Sequence, residues 1–477
     1  MDEAVLLAHH PAPVAVSAAA VAEVVARRPT VLVVLDDDPT GTQSVHDLPV
    51  LTAWDESDFD WAFARSAPAV YVLTNARSLD PAAAAERNRE VVTHALAAAE
   101  RAGVRADFVS RSDSTLRGHF PLETDVIAAV LAERAGRRVD AVVLVPAFPD
   151  AGRVTIGGTH YTRTPDGLVP VGETEFARDA TFGFTSSDLR DWVQEKSGGR
   201  HRRDDVVVLD LTTIRSGARA VADALAAVTD ATPVVADAVT EDDLRALSLG
   251  LLEAEARGKE LLHRVGPPFV RARAGLDVRA PLSADEVFGS GGAPGGGLVV
   301  VGSHVALTTR QLERLQGERP QARSVVVDVP QVLAPDRTAA HLGEVVEETV
   351  RLLADGDVVV STSRVLQRTG DPAASLEIAR RVSAAVVEVV QRVLAARPPR
   401  FVVAKGGITS SDVAAHGLGI RHAVVRGPML PGIVSLWEPV DGPAAGIPYV
   451  VFAGNVGDDG SLAAVVDTLA DPALPAR

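Results

Sequence analysis

The chain contains no cysteine, which excludes disulfides, thiolate metal sites and cysteine nucleophiles together and fits a reducing cytoplasm. Positive charge is scarce: 63 acidic residues face 47 basic ones, for a net charge of −16. That balance argues against nucleic acid or an anionic membrane as partner, since both are bound through basic patches. It still leaves room for a local basic pocket around a small anion. Lysine is rarer than arginine, with only Lys196, Lys259 and Lys405 in the chain, so a lysine in a special setting is singled out. No apolar run approaches the ~20 residues of a membrane span. The opening Met1-Asp2-Glu3 lacks the positive region of a signal peptide. There is no short tandem repeat.

What is present reads as α/β. A length of 477 residues exceeds one ordinary core, so two domains are expected. Short β-branched runs at 31–35, 69–73, 107–110, 141–145, 206–209 and 233–236 alternate with alanine-rich amphipathic segments such as 82–102 and 124–135. The pattern recurs at 298–301, 324–329, 357–360, 401–404, 422–425 and 449–452, with helices at 341–353 and 374–396. Continuous apolar strands alternating with helices predict mainly parallel sheets flanked by helices on both faces. The glycine-rich stretch after Phe288 separates the two halves. The expected organisation is therefore a first domain over 1–285, a linker over 286–297 and a second domain over 298–477. The active site is expected in the cleft between them.

In such sheets ligands gather at the carboxyl ends of strands. The first strand ends in Asp36-Asp37-Asp38-Pro39-Thr40-Gly41. Three consecutive carboxylates are costly to desolvate without a metal, an arginine or a substrate hydroxyl to compensate. Helix capping by Asp38 or Thr40 would account for one of them. The next strand ends carry Thr74-Asn75-Ala76-Arg77 and Arg111-Ser112-Asp113-Ser114-Thr115-Leu116-Arg117-Gly118. Arginine forks hold a carboxylate, while Asp and Asn serve hydroxyls; the inventory suits a small polyhydroxylated acid. Ordinary ion pairing is the alternative for each arginine.

The second half offers glycine and hydroxyl groups instead: Gly302-Ser303-His304, then Lys405-Gly406-Gly407-Ile408-Thr409-Ser410, then Gly454-Asn455. Glycines at strand-to-helix turns let backbone N–H groups approach a phosphate. None matches a P-loop or a dinucleotide fingerprint. Lys405 is placed to reach a phosphate, or else is a strand-edge lysine. One half suited to a sugar acid and another suited to phosphates implies phosphoryl transfer from ATP with Mg²⁺.

The same residues resemble the four-carbon acid sugar kinases, which phosphorylate threonate, erythronate or 3-oxo-tetronate with ATP. The resemblance runs from about Val31 to Asp458. It implies a sugar-acid site at Asp37, Arg77, Arg111, Ser112, Asp113, Ser114, Thr115 and Arg117, with Asp38 or Asp37 as the base. The Pro146–Pro149 segment with Gly152-Arg153 looks like a further signature of that family. ATP contacts are implied at Ser303, Gly406, Gly407, Ile408, Thr409, Ser410 and Gly454, with Lys405 beside them. Arg111 stands where the family has lysine, Ile408 where it has glutamate, and His304-Val305 where it has Cys-Ser. These departures suggest a divergent subgroup acting on a related branched or oxidised acid such as 3-oxo-isoapionate. A homo-oligomer fits as well.

Two other readings compete. Asp36-x-Asp38-x-Thr40 also fits a haloacid-dehalogenase-like phosphatase with Asp36 as nucleophile and Asp38 as acid/base; that reading needs a mid-chain lysine, for which Lys196 is poorly placed. A sugar-acid sensor without turnover would need one ligand site, not two.

Overall fold

The computed structural model describes residues 1–289, 294–364 and 372–471. Part of the expected linker (290–293) and the last six residues of the expected second domain lie outside the described residues. The chain forms two compact units, Met1–Val278 and Arg279–Arg477.

The first unit holds strands β1 (Thr30–Asp36), β2 (Leu48–Leu51), β3 (Ala69–Leu73), β4 (Arg105–Arg111), β5 (Ala141–Val145), β6 (Arg153–Ile156), β7 (Thr159–Thr164), β8 (Gly167–Pro170), β9 (Val207–Leu209), β10 (Thr232–Ala236) and β11 (Leu261–Val265). Eight of them make a parallel sheet in the order β2-β3-β1-β4-β11-β5-β10-β9. β6, β7 and β8 form a separate antiparallel meander. The run Val31–Leu35 is buried throughout, as a strand covered on both faces must be. β3 flanks β1 on one side and β4 on the other, with Asp36 level with Leu73 and Arg111. The chain therefore reverses its strand order at β1, and in sheets of this kind ligands bind beyond the carboxyl end of the strand at such a reversal. The helix Pro81–Ala102 that follows β3 starts at the Asp80 cap with proline in its first position and stops at Gly103.

The second unit contains β12 (Leu298–Val301), β13 (Arg323–Val327), β14 (Val358–Thr362), β15 (Val402–Lys405), β16 (His422–Leu430), β17 (Val434–Pro439) and β18 (Tyr449–Phe452). Their order is β13-β14-β12-β15-β18-β17-β16, the first five parallel and the last two antiparallel. β12 lies between β14 and β15, so this sheet has its own reversal point at Gly302.

The domain limit expected at 285 falls earlier. Leu282 is buried in the second unit's core and donates its N–H to Pro428 O at 2.8 Å. Apolar burial, not glycine content, decides where the second unit begins. β11 was not expected as a strand because Leu261-Leu262-His263-Arg264-Val265 carries two polar residues. Burial of Arg264 is tolerated because Glu123 Oε2 (2.6 Å) and Ser110 Oγ (2.8 Å) receive its guanidinium.

Candidate active site

The three carboxylates after β1 meet different environments. Asp36 and Asp37 are each 1% exposed. Asp36 is paired with Arg111 Nε and Nη2, and its main-chain oxygen accepts from Thr74 N–H and hydroxyl, both at 2.9 Å. Gly41 packs directly over that pair; a Cβ there would sit 2.2 Å from Asp36 Oδ2. Asp37 takes a two-pronged bond from Arg77, at 2.5 and 3.0 Å. Asp38 differs: its side chain is 22% exposed. It caps the turn Pro39–Ser44 by accepting from Thr40 N at 2.9 Å and Thr40 Oγ1 at 2.5 Å, and Arg77 Nη1 lies 3.4 Å away. Burial pushes the Asp38 carboxyl up, but Arg77, Arg111 and the Thr40 bonds outweigh it and hold the group below the usual carboxylate range.

The loop after β4 supplies the facing groups. Asp113 accepts from Thr115 Oγ1 and from Arg117 Nε (2.6 Å). Burial raises its carboxyl, yet Arg77, Arg117 and the Thr115 bond hold it well below the ordinary value. Ser112, Ser114 and Thr115 are buried. Ser112 N–H donates to Val265 O at 2.9 Å, and Ser114 O is held by His160 Nε2 at 2.8 Å. Among the expected sugar-acid residues, the geometry leaves Asp38, Arg77, Asp113 and Arg117 with part-exposed side chains. Arg111, expected to orient the sugar acid, is 2% exposed and its fork is taken up by Asp36 and Asp38 O. Its position beneath the site makes it scaffold. Asp36, unexplained as a ligand, is the counter-ion of that scaffold; a nucleophilic role for it is contradicted by the same burial. Lys196 is likewise spent, donating to Phe182 O (3.1 Å) and Gly183 O.

In the second unit the three strand-end glycines converge. A Cβ on Gly302 would lie 2.2 Å from Thr409 Oγ1, one on Gly406 2.9 Å from the same atom, and one on Gly454 2.6 Å from Ser303 Oγ. Gly302, Gly406 and Gly454 thus pack around the Thr409 and Ser303 hydroxyls in one cradle that has no room for a further side chain. Gly406 precedes the turn Gly407–Asp412, where Ser410 N–H returns to Gly406 O at 2.8 Å and Ser410 Oγ bonds Ala404 O at 2.8 Å. The first N–H groups of such a turn have no carbonyl one turn earlier to serve. Ile408 is 60% exposed. Thr308 Oγ1 ties Gly454 O (2.8 Å) to Ser303 Oγ (3.2 Å), and Gln311 Nε2 holds Val456 O (3.0 Å) and Asp458 O (2.6 Å). The same helix and loop border an open groove of about 960 Å³ lined by Leu307, Arg310 and Gly457–Gly460.

Lys405, expected to reach a phosphate, is engaged within the protein instead. It is fully buried over the Phe452 ring, and its Nζ donates to Ala453 O at 2.6 Å. Burial pulls its pKa down to about 7. It anchors the loop that carries Gly454. Arg364, at the unread end of β14, was missed: it donates to Ser303 O (2.6 Å) and Thr309 Oγ1 (2.7 Å) beside the cradle. His160, Arg264 and Thr308, not expected as site residues, are held by pairings between segments distant in sequence, with Ser114, Glu123 and Gly454; Arg153 stands out in sequence only within the Gly152-Arg153 motif.

Substituting Gly302 by Ala should displace Thr409 and weaken nucleotide binding roughly tenfold or more. Titration of ATP into the purified variant, with sugar-acid binding unchanged as the control, checks this.

Residues 32–273 match the family described as the sugar-binding N-terminal domain, and residues 298–462 the nucleotide-binding C-terminal domain. The chain is 27% identical over 421 residues to the D-erythronate kinase of Heliobacterium modesticaldum, covering 84% of this chain and 87% of the relative. It is 28% identical over 401 residues to the 3-oxo-tetronate kinase of Methylobacterium radiotolerans (82% and 83%). With the D-threonate kinase of Cupriavidus necator the identity is 29% over 409 residues (82% and 84%). Among solved structures, a Salmonella typhimurium LT2 protein shares the fold, with a TM-score of 0.66, 17% identity and coverage of 91% and 98%.

Proposed function

The chain belongs to the four-carbon acid sugar kinase family, and from that premise we propose that it moves the γ-phosphoryl group of ATP to a hydroxyl of a small sugar acid. The acceptor is a four-carbon acid such as 3-oxo-tetronate, threonate or erythronate, or a related branched oxo-acid such as 3-oxo-isoapionate. The observation that carries the mechanism is Asp38: in the acidic run its side chain is the one open to solvent, and it is held ionised. It accepts the proton of the attacking hydroxyl, while Arg77, Asp113 and Arg117 orient the acid. Asp37 fixes Arg77. The glycine cradle of the second unit takes the phosphates through backbone N–H groups of Gly407–Thr409, with Arg364 holding Ser303 in place. Phosphoryl transfer needs little covalent help from the protein and much positioning.

Among the described residues no three acidic or imidazole groups are arranged to hold a resident metal ion. Mg²⁺ entering with ATP would supply positive charge against the phosphates.

A coupled ADP-release screen over four- and five-carbon sugar acids and their 3-oxo forms tests the proposal. ADP release that depends on one acid is the expected result. Phosphate release from the corresponding phosphorylated acids without ATP would overturn it in favour of a phosphatase, and binding of an acid without turnover in favour of a sensor.

A further inference from the structure

Three arginines reach the first unit's strand-end loops from the expected positions, and each is engaged by a protein carboxylate. Arg77 forks onto Asp37, Arg111 pairs with Asp36, and Arg117 donates to Asp113 with Asp179 at 3.6 Å. A fourth is not engaged. Arg153 opens β6, where its N–H and C=O pair with Phe148 at 2.9 and 2.8 Å. Among the described residues its side chain has no hydrogen-bond or ion-pair partner, and its Nε is shut off from solvent.

The surroundings are those of an anion site. The Arg153 guanidinium lies 5.9 Å from the centre of the Phe176 ring, which Arg117 also covers at 5.2 Å. Desolvation lowers its pKa, with Asp113 attracting and Arg117 repelling it. A partly desolvated cation beside a like charge, whose nearby carboxylate Asp113 is already bonded to Arg117, is a costly arrangement for the fold alone. An incoming anion reverses that cost. His160 on β7 places the arginine: it bridges Thr155 Oγ1 (2.9 Å) on β6 and Ser114 O (2.8 Å), fastening the meander to the loop that carries Asp113 and Arg117.

We propose that Arg153 receives the carboxylate of the substrate and thereby selects acids over neutral sugars. The planar guanidinium fork matches a carboxylate with two parallel bonds. The substrate hydroxyls are then left to Asp113 and Asp38. The assignment rests on the sugar-acid reading above, but binding alone tests it.

Isothermal titration of the full-length, nucleotide-free protein with D-erythronate and D-threonate, and with their neutral counterparts erythritol and threitol, provides the test. Wild type should bind at least one acid on the order of tenfold or more tighter than its tetritol. R153Q should lose on the order of 10- to 100-fold for the acid and leave tetritol binding unchanged, closing the gap. R153K, which keeps the charge but not the fork, should fall between and serves where R153Q does not fold. An acid bound no more tightly than its tetritol, or an R153Q protein that keeps the preference, would overturn the assignment. Should the wild type show the acid preference and R153Q lose it while no ADP is released with ATP, the kinase reading fails and the carboxylate site stands.

Discussion

Asp38→Asn is expected to lower kcat by about 10²- to 10⁴-fold while sugar-acid affinity changes little. The amide keeps the shape and can still accept the 2.9 Å bond from Thr40 N–H, so the turn Pro39–Ser44 should hold. What is lost is the ability to take a proton from the attacking hydroxyl. Asp37→Asn provides the contrast. Asp37 is 1% exposed and grips Arg77 at 2.5 and 3.0 Å, so its loss should raise KM and lower the melting temperature, since Arg77 is released. A fall in kcat confined to Asp37→Asn, with Asp38→Asn at wild-type rate, would move the base to Asp37. The pH dependence adds a second readout. Arg77, Arg111 and Thr40 overcome the burial that would raise the Asp38 carboxyl, so it stays ionised below the ordinary carboxylate range. Wild-type kcat should therefore show no acid limb from this group between neutral pH and the ordinary carboxylate value. A limb near neutrality would have to come from another residue.

The acidic run could be found from sequence because it ends an apolar strand, and strand ends in parallel sheets face ligands. What could not be read was which carboxylate does what. That depends on Arg77 and Arg111, 39 to 75 positions away in sequence, and on register: Asp36 lies level with Arg111, so the first aspartate and the arginine neutralise each other. Lys405 failed for a similar reason. Its neighbours Gly406 and Gly407 suggested a phosphate, but Lys405 lies level with Phe452 on β18, and its Nζ turns to Ala453 O. Arg153 was visible only as part of a motif. The antiparallel meander that brings it to the loop is short and polar, with Thr159, His160, Thr162, Arg163 and Thr164 in its central strand, and has none of the apolar continuity that betrays a parallel strand. Helices were read more closely: the expected 82–102 is Pro81–Ala102 and the expected 124–135 is Leu122–Ala135, because local caps and alanine content decide them.

Arg111→Met should destabilise the first unit by about 3–5 kcal/mol, because it strands the Asp36 carboxylate in the interior without its cation. Arg111 pairs with Asp36 and donates to Asp38 O, while Asp37, 3.8 Å away, keeps Arg77, so the cost comes from an orphaned carboxylate and an orphaned carbonyl and not from lost packing alone. Asp36→Leu combined with Arg111→Met should cost less than the sum of the single changes, since the pair is removed together; urea midpoints of the four proteins measure this coupling. A purely additive double variant would mean the pair is not the scaffold. Asp36 also sets a pH trend. Burial pushes its carboxyl from 3.8 up to about 7, with Arg111 opposing and Asp37 and Asp38 reinforcing the rise. The folded chain therefore keeps a proton on Asp36 that the unfolded chain gives up, and the Asp36–Arg111 pair is fully ionic only above about 7. This group's stabilising contribution is full below 3.8 and is lost as pH climbs through about 7. Melting temperature followed across that interval should decline more steeply in the wild type than in Asp36→Asn, which carries no titrating proton at that position. Equal slopes would place the proton elsewhere and leave Asp36 ionised against Arg111 throughout.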